Sequence, residues 1–336
     1  MNKIAKTVLM TGTALCAAGV VLSTAGYFAG GKDFTYTSDH MYVSGGNSSS
    51  RKNFTVMKKE QIDDFTKLNV DFEDFDLDIR TSDDDHYYME YKLEKNGRKN
   101  PLTWKDKDGE LTLEESAGGS GSYYITYDLG IFSTHADLTE KKDALNTVIL
   151  YIPEKAQLSE AELQLSDGDL AADQLLCKEM TLELLNGDMM LDKGEFEKFD
   201  AKLSDGDMNV KEFQCTDNMQ LKSGNGDVTI KKAELADGQI ALSDGDIQID
   251  NSSFNGDMKI NSSCGDVSVE MKNGSAEKTN IYLKATDGDV DTEGLSRGKT
   301  DNEEDTSVYE NKAGASAPTL NVECSDGDIT LTESEK

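Results

Sequence analysis

The sequence contains little of what most catalytic and nucleic-acid-binding sites require. Its 336 residues include only three histidines, one tryptophan and three prolines. The histidines, His40, His86 and His135, lie in unrelated polar contexts, with no cysteine or second histidine at metal-ligand spacing. No Ser-His-Asp arrangement is visible, and the glycines lie at strand turns rather than at the strand-to-helix turns of phosphate-binding loops. The residues therefore indicate no zinc site and no familiar catalytic centre.

Basic and apolar residues are also scarce. The chain has 34 basic residues against 65 acidic ones, a net charge of −31, and a hydrophobic fraction of 36%. A charge of this sign and size excludes nucleic acid as a partner. An acidic, polar chain can be disordered, but residues 65–331 contain ordered apolar columns that favour a folded structure.

What the sequence does have is a Gly-Asp pair that returns about every twenty residues. The steps between successive pairs are 19, 19, 20, 19, 20, 23 and 39 residues. A fixed period of this length predicts a repeat architecture. The pairs are Gly168-Asp169, Gly187-Asp188, Gly206-Asp207, Gly226-Asp227, Gly245-Asp246, Gly265-Asp266, Gly288-Asp289 and Gly327-Asp328.

Each repeat predicts a strand, a tight turn and a second strand. The second residue after each glycine is always apolar, and the fourth is apolar except at Thr292. Apolar residues alternate before the glycine as well, which is typical of strands with one buried face. Glycine supplies the positive φ that a tight corner needs, and Asp or Asn can accept hydrogen bonds from nearby backbone N–H groups.

The full twenty-residue period favours an all-β fold, a single-stranded β-solenoid or β-helix with coils of about 20 residues. A further apolar column, nine residues past the glycine, supports this prediction. A β-meander remains an alternative, because a weaker half-period signal occurs at Asp237-Gly238 and at residues 255–257. The members of the further column are Cys177, Phe196, Cys215, Leu235 and Phe254.

The N-terminus predicts export. Lys3 and Lys6 precede an uncharged segment, residues 7–29, which is long enough to span a bilayer. We expect a cytoplasmic stub at 1–6, a transmembrane helix at 7–29 and an extracytoplasmic remainder in a single-pass protein of the cell membrane. The alternative is a cleaved signal peptide ending near Ala25. Residues after this segment carry 65 acidic and 32 basic side chains, a net charge of −33.

The exported part divides into three regions by composition. Residues 30–60 are rich in Gly, Ser and polar residues and predict a flexible stalk. Residues 61–155 predict irregular strands that begin the solenoid, and residues 156–333 predict its regular repeats. Within the repeats, residues 293–318 are expected to form a polar loop that replaces one coil. The last unit, 319–331, is expected to close the stack.

The four exported cysteines predict thiols rather than disulfides. Cys177 and Cys215 share a column but lie two coils apart, about 10 Å at the strand spacing, which is too far for a disulfide. Cys264 and Cys324 occupy different phases of the repeat. We therefore expect four small and mostly buried thiols.

The chain resembles a family of membrane-anchored bacterial proteins with β-strand repeats, described as putative adhesins with a domain of unknown function. The resemblance rests on the apolar anchor ending at Gly30-Gly31, on the Val-Ile-Leu-Tyr-Ile-Pro segment at 148–153 and on the Gly-Asp repeats. It covers residues 60–331. It implies an exported, solenoid-like domain with a role in the cell envelope, in some members an envelope-stress role. The family carries no established catalytic residues to transfer.

The aspartates that follow the glycines are the best chemical candidates. Stacked along one edge, they could recruit Ca²⁺, which takes six to eight oxygen ligands. The alternative is that each carboxylate accepts bonds within its own corner. Apart from calcium, no cofactor is predicted. The candidate calcium ligands are Asp169, Asp188, Asp207, Asp227, Asp246 and Asp266.

Two further sets of residues suggest other chemistry. Arg297, Lys299 and Lys312 lie on the predicted loop, and beside stacked carboxylates they would suit a β-helix enzyme that degrades polysaccharides. Aromatic residues in the N-terminal half could stack on sugar rings or on a protein partner, but tyrosine is also an ordinary strand residue. These aromatic residues are Tyr87, Tyr88, Tyr91, Trp104, Tyr123, Tyr124, Tyr127 and Tyr151.

The sequence thus favours a non-enzymatic, surface-exposed β-repeat protein of the bacterial envelope. Its expected role is that of an adhesin or scaffold, with a cell-wall glycan or another envelope protein as partner. A polysaccharide-degrading β-helix and an envelope-stress sensor with a membrane partner are the alternatives.

Overall fold

The computed structural model describes residues 34–36, 41–43, 54–117, 145–292, 295, 298–303 and 305–335. The chain forms two compact units, residues 1–54 with 118–141 and residues 55–117 with 142–336. In the first unit, β1 (Phe34–Tyr36) pairs antiparallel with β2 (Met41–Val43). No helix within the described ranges is long and apolar enough to cross a membrane. The predicted stub at 1–6 and anchor at 7–29 lie outside those ranges.

Where the structure describes it, the second unit is built from β-strands, with a 3-10 turn at Ala276–Lys278. Its N-terminal strands are β3 (Phe54–Ile62), β4 (Lys67–Phe72), β5 (Asp76–Ser82), β6 (Tyr87–Glu94), β7 (Leu102–Lys107), β8 (Glu110–Glu115) and β9 (Thr147–Pro153). The central strands are β10 (Leu158–Leu165), β11 (Leu170–Asn186), β12 (Met189–Asp205), β13 (Met208–Asn225), β14 (Val228–Lys231), β15 (Ala233–Asp244), β16 (Ile247–Phe254), β17 (Met258–Cys264) and β18 (Val267–Met271). The C-terminal strands are β19 (Asn280–Thr286), β20 (Val290–Asp291), β21 (Lys299–Glu303), β22 (Thr306–Asn311), β23 (Thr319–Asp326) and β24 (Ile329–Glu333).

Successive repeats stack as parallel coils. Between β11 and β12, Leu170 pairs with Met189 and Cys177 pairs with Phe196, a shift of one repeat. The same parallel register continues from β12 to β13 and on to β15. The all-β, solenoid-like prediction is therefore confirmed. A meander does not describe these strands, because its neighbouring strands would run antiparallel.

The apolar columns predicted from the repeat form the core. The column that starts at Cys177 is buried in every coil and stays in register through Phe254. Phe196, Phe199 and Phe213 form an aromatic cluster, with ring centroids 5.0 to 5.5 Å apart. Each coil therefore contributes only a narrow inner face to a core that runs through the stack, which explains how 36% hydrophobic residues suffice.

At the N-terminal end, the order of the coils in space differs from their order in the chain. Strands β4 and β5 form the first coil in sequence, but they pair with β8 and β9 on one side. On the other side they pair with β10 and β11. The outermost coil is therefore β8–β9, and the first coil lies inside the stack.

The C-terminal end repeats this arrangement and corrects one prediction. Strands β23 and β24 pair with β17 and β18 on one side, and with β19 and β20 on the other. The last unit, 319–331, therefore does not close the stack as predicted. It lies between two other coils, so neither its start nor its end can separate without breaking hydrogen bonds on both sides.

Antiparallel strands cover both outermost coils. At the N-terminal end β6 pairs with β9 and β7 pairs with β8. At the other end β22 pairs with β19, and β21 pairs with β22. The second hairpin lies within residues 293–318, so this segment is not the polar loop predicted from its composition. These strands blunt the exposed edges that a parallel stack would otherwise present.

Strand structure also begins earlier than the composition indicates. Strand β3 starts at Phe54 and pairs with β6. It lies partly within residues 30–60, for which the sequence predicts a flexible stalk, as do β1 and β2. Polar composition alone did not distinguish these short strands from a linker.

The corner glycines are required by close backbone approach. A Cβ atom added to Gly226, which has φ 118°, would lie 2.1 Å from the carbonyl oxygen of Gly206 in the preceding coil. Gly274, with φ 75°, has no atom within 4 Å of the same added position. Positive φ is therefore common to both glycines, but only the corner glycine packs directly on a neighbouring coil.

We predict that Gly226→Ala destabilises the solenoid by about 3 kcal/mol or more, because strain in φ and overpacking against a carbonyl add together. Gly274→Ala is the matched control and should cost about 1 kcal/mol, from the backbone conformation alone. Chemical denaturation of the full chain, followed by circular dichroism, measures both. Equal losses for the two variants would contradict the close-packing explanation.

Candidate functional site: the acidic corner

The aspartate after each corner glycine bonds to the next coil rather than to its own corner. Oδ1 of Asp169 accepts a hydrogen bond from the backbone N–H of Asp188 at 2.8 Å. Oδ1 of Asp188 in turn accepts from the N–H of Asp207 at 2.9 Å. Each carboxylate thus satisfies a backbone donor that the turn would otherwise leave without a partner.

This interaction repeats without interruption through the stack. Eight such hydrogen bonds, 2.8 to 3.0 Å long, join nine aspartates. We call this set the Asp column. Its members, in spatial order, are Asp76, Asp169, Asp188, Asp207, Asp227, Asp246, Asp266, Asp328 and Asp289.

The structure brings together all six aspartates predicted as calcium ligands, in the stacked order that the repeat indicates. Their Oδ1 atoms are engaged with backbone N–H groups. Across the described part of the chain, no group of three or more His, Cys, Asp or Glu side chains is arranged to hold a metal ion. Calcium binding at the column stays a prediction.

A second column, directly before the glycines, alternates charged and neutral residues. Asn186 donates from Nδ2 to Oδ1 of Asp167 at 2.7 Å, and Asn225 donates in the same way to Asp205 at 2.6 Å. Because neighbouring coils lie about 4.8 Å apart, this alternation keeps carboxylates from stacking directly on one another between Asp167 and Asp326. Beyond these two residues the alternation ends, since Asp74 adjoins Asp167 and Asp287 adjoins Asp326. The column consists of Asp167, Asn186, Asp205, Asn225, Asp244, Cys264 and Asp326.

The Asp column begins at a residue that has no glycine before it. Asp76 follows Phe75. The carbonyl oxygen of Phe75 packs against Gly168, at the position that a glycine carbonyl oxygen occupies between the other coils. Oδ1 of Asp76 accepts the N–H of Asp169 at 3.0 Å, and Oδ2 accepts from the Thr147 hydroxyl at 3.3 Å. The Gly-Asp motif missed this residue, although the apolar pattern at Leu77 and beyond matches the other repeats.

A buried ion pair supports the N-terminal end of the corner. Oε2 of Glu115 accepts the backbone N–H groups of Glu73 and Asp74 at 2.9 and 2.7 Å. Its Oε1 accepts from Nη1 of Arg98 at 2.7 Å, and both side chains are at most 5% exposed. The guanidinium also lies 5.3 Å from the Phe75 ring centroid. No sequence pattern pointed to this pair, because its members come from different strands and loops.

The half-period signal in the sequence also has a structural counterpart. Oδ1 of Asp237 accepts the N–H of Asp257 at 2.7 Å, and Oδ1 of Asp257 accepts the N–H of Thr319 at 2.8 Å. The same coil-to-coil interaction therefore occurs at a second corner. The signal indicates a second corner in some coils rather than a meander.

The thiols agree with the sequence prediction at three of four positions. Cys177, Cys215 and Cys324 are buried. Cys264 is exposed and belongs to the column directly before the glycines, which we call the alternating column. All four are free. Burial raises the pKa of Cys177 to about 12 and that of Cys215 to about 11, so these thiols stay protonated at neutral pH.

The basic residues proposed for catalysis do not face the Asp column in a shared pocket. Lys299 lies opposite Glu310 in the strand register of the β21–β22 hairpin, and Nζ of Lys312 lies 3.7 Å from the Glu310 carboxylate. Lys312 and Tyr282 line a groove of about 510 Å³ that includes no member of the Asp column. Arg297 lies outside the described residues.

The aromatic residues do not form one exposed stripe. Lys59 covers Tyr151 and Tyr88, with its Nζ atom 3.7 and 4.9 Å from their ring centroids. Tyr87 is buried, and Trp104 is 38% exposed. Tyr123, Tyr124 and Tyr127 lie outside the described residues. Lysine therefore occupies the faces of two rings that were candidates for sugar stacking.

A comparison with protein families places the chain in one of them. The chain belongs to the Toastrack DUF4097 family, whose model matches residues 65–332. This match confirms the resemblance to repeat proteins with a domain of unknown function. No curated protein matches the chain in sequence.

Several solved structures are similar to the chain at low identity. A putative adhesin from Parabacteroides distasonis ATCC 8503 is 15% identical with a TM-score of 0.40, and a putative lipid binding protein from the same strain is 12% identical with a TM-score of 0.43. Each match covers 84% of this chain and 97% of the other. A putative cell adhesion protein from Clostridium sporogenes ATCC 15579 is 16% identical, covers 84% of this chain and 98% of its own, and has a TM-score of 0.22. At these scores the matches carry no argument about what this chain binds.

We predict that Asp76→Asn stabilises the protein at neutral pH. Burial, with the charge of Asp169 adding to it, raises the pKa of Asp76 above its usual value. The folded state therefore holds this proton more tightly than the unfolded state, and stability falls as the pH rises through the two pKa values. The amide keeps an oxygen for the N–H of Asp169 but carries no charge.

Denaturation of the full chain at pH 7 and at pH 3 tests this prediction. The Asn variant should be more stable than the wild type at pH 7, with the difference largely lost at pH 3, where both side chains are neutral. Asp76→Ala removes the acceptor and should be destabilised at both pH values. An Asn variant that is less stable than the wild type at pH 7 would show that the charge itself is favourable.

Proposed function

We propose that this protein is a non-enzymatic component of the bacterial cell envelope that acts by binding or scaffolding. Residues 7–29 would hold it in the cell membrane, and the solenoid would lie on the extracytoplasmic side. A cell-wall glycan or another envelope protein would be its partner, and an envelope-stress role is a more specific form of the same proposal.

The observation that carries this proposal is the Asp column. The polar residue that recurs most regularly in the chain bonds one coil to the next, in eight consecutive steps. The repeats are thereby explained as the means of building a stiff acidic surface. Such a surface suits recognition or spacing, because function in solenoids resides on extended faces rather than in a single deep cleft.

The acidic composition supports the same proposal. After residue 29 the net charge is −33, which keeps an exported domain soluble and separates it from anionic lipid surfaces by repulsion. Much of the basic charge on the solenoid faces is paired between adjacent coils, as in the ion pair of Lys198 with Glu179 at 2.9 Å. The corner tetrapeptides contain no lysine or arginine, so the corner edge has no such pairing within itself.

A polysaccharide-degrading enzyme is the less supported function. It would need basic groups beside the stacked carboxylates in one groove. Instead, Lys312 forms an ion pair with Glu310, and Lys299 lies opposite Glu310 in the strand register. The Asp column has its Oδ1 atoms on backbone N–H groups, which accounts for these carboxylates without a substrate.

Location can be tested with a full-length chain that carries an epitope tag after Lys336. We expect the protein in the membrane fraction, and we expect protease added to intact cells, after removal of any outer permeability barrier, to remove most of the tag. Deletion of residues 7–29 should move the protein to the cytoplasm and protect the tag. The mass of the mature chain distinguishes a retained anchor from a cleaved signal peptide.

A cytoplasmic marker protein should remain intact in the same cells, as the control for lysis. If the tag on the full-length chain stays protected until the cells are broken, the proposed location is wrong.

A further inference from the structure

Two side chains on one coil break the polar pattern beside the acidic corner. Leu185 lies immediately before the corner of its coil, and Met190 lies immediately after it. Leu185 is 41% exposed and Met190 is 54% exposed, which places both among the few large apolar residues with this much exposure. Between them lie Asn186, Gly187 and Asp188, so the pair flanks a single Gly-Asp turn.

The other coils serve as internal references for these positions. The column that contains Leu185 is otherwise polar, with small residues in every coil except that of Glu73. In the column that contains Met190, the other large apolar residue is Ile149 of the outermost coil, which is buried. The first column is Glu73, Ser166, Leu185, Ser204, Gly224, Ser243, Ser263, Ser325 and Thr286. The second column is Ile149, Asp78, Ala171, Met190, Asn209, Thr229, Gln248, Ser268, Thr330 and Asp291.

The fold does not require apolar residues at these two positions. Coils with serine or asparagine there make the same corner and the same coil-to-coil hydrogen bonds, at 2.8 Å for Asp227 and 2.9 Å for Asp207. The buried neighbours Leu184 and Met189 already supply the inward-facing side chains of this coil. Leu185 and Met190 therefore add apolar surface outside the core, and two such residues on one corner form an anchor of the kind found in binding surfaces.

The corner beside this apolar pair is acidic. Lys202 and Lys211 of the adjacent coil lie on the flanking strands, and each is already paired with a carboxylate, Glu183 at 2.7 Å and Asp192 at 2.6 Å. Asp167, Asp169, Asp188 and Asp205 are exposed in the same coil or in the coils directly beside it. None of the eight corner tetrapeptides, from residues 166–169 to residues 325–328, contains lysine or arginine. A partner that covers Leu185 and Met190 must therefore approach closely stacked carboxylates, which favours positive charge and disfavours an anionic or neutral surface.

We propose that the corner at Leu185 and Met190 is a docking site for a cationic polypeptide segment that carries apolar side chains among its lysines or arginines. The apolar side chains would cover Leu185 and Met190, and the basic ones would lie along the Asp column and the alternating column. The proposal rests on the proposed binding function and names the chemistry of the partner for that surface.

Two synthetic peptides of equal length and charge provide the probe. One contains lysines interspersed with leucines, and the other has serine at each leucine position. The full-length protein is immobilised through a tag after Lys336 in a buffer with neutral detergent, and the bare surface gives the blank. We expect the wild-type protein to bind the leucine peptide about tenfold more tightly than the serine peptide, since burial of a few methylene groups corresponds to this ratio. Binding of both peptides should weaken as salt increases.

The variant Leu185→Ser with Met190→Asn gives these positions the residues found in the neighbouring coil. It should bind the two peptides equally, at the weaker affinity, while its free energy of unfolding stays within about 0.5 kcal/mol of the wild type, as for ordinary surface substitutions. Val56→Ser removes an apolar side chain that is 59% exposed on β3, away from the corners, and should leave the leucine preference unchanged.

A double variant that keeps the leucine preference would overturn the proposal, as would a wild-type protein without any preference. Equal binding of an uncharged leucine peptide would assign the surface to a neutral partner and would also contradict it. These outcomes do not depend on where the cell places the protein, so failure here is distinguishable from failure of the proposed location.

Discussion

The hydrogen bond from each backbone N–H to the aspartate of the preceding coil is the interaction on which the solenoid depends. A tight corner turns backbone donors away from the strand ladder, and a donor without a partner costs free energy. Glycine lets the next coil approach closely enough for the bond to form, as the contact of Gly226 with Gly206 illustrates. The Gly-Asp pair is therefore one structural unit, in which glycine provides the approach and aspartate provides the acceptor.

This solution concentrates negative charge along one edge. Two carboxylates about 5 Å apart repel by roughly 1 kcal/mol in water, and by more near a protein surface. The neighbouring column limits the repulsion, because Asn186 and Asn225 separate its aspartates and donate to them. The edge as a whole stays acidic. Leu185 and Met190 are large apolar residues on this edge, and the repeat does not require apolar residues at their positions. The Asp column therefore stabilises the corner, while Leu185 and Met190 at the same corner are the residues that we propose for binding.

The repeat pattern predicted the coils, their register and the buried columns, because the same apolar pattern occurs in the local sequence of every coil. It also predicted the stacked aspartates, although not their bond to the next coil. The order of the end coils could not be predicted, since β23 resembles any other repeat and its insertion between β17 and β19 depends on long-range pairing. Asp76 and the buried pair of Arg98 with Glu115 were missed for the same reason: tertiary contacts, and not a motif, define them.

The most direct test of the central interaction is nuclear magnetic resonance of the deuterated, isotope-labelled full chain, with a search for scalar coupling across the hydrogen bonds. We expect coupling between the side-chain carboxylate carbon of Asp207 and the amide nitrogen of Asp227, and likewise for the other pairs of the Asp column. These amides should also exchange slowly with solvent, despite their position at exposed corners. Absence of the couplings, together with rapid exchange at these amides while the strands stay protected, would contradict the account.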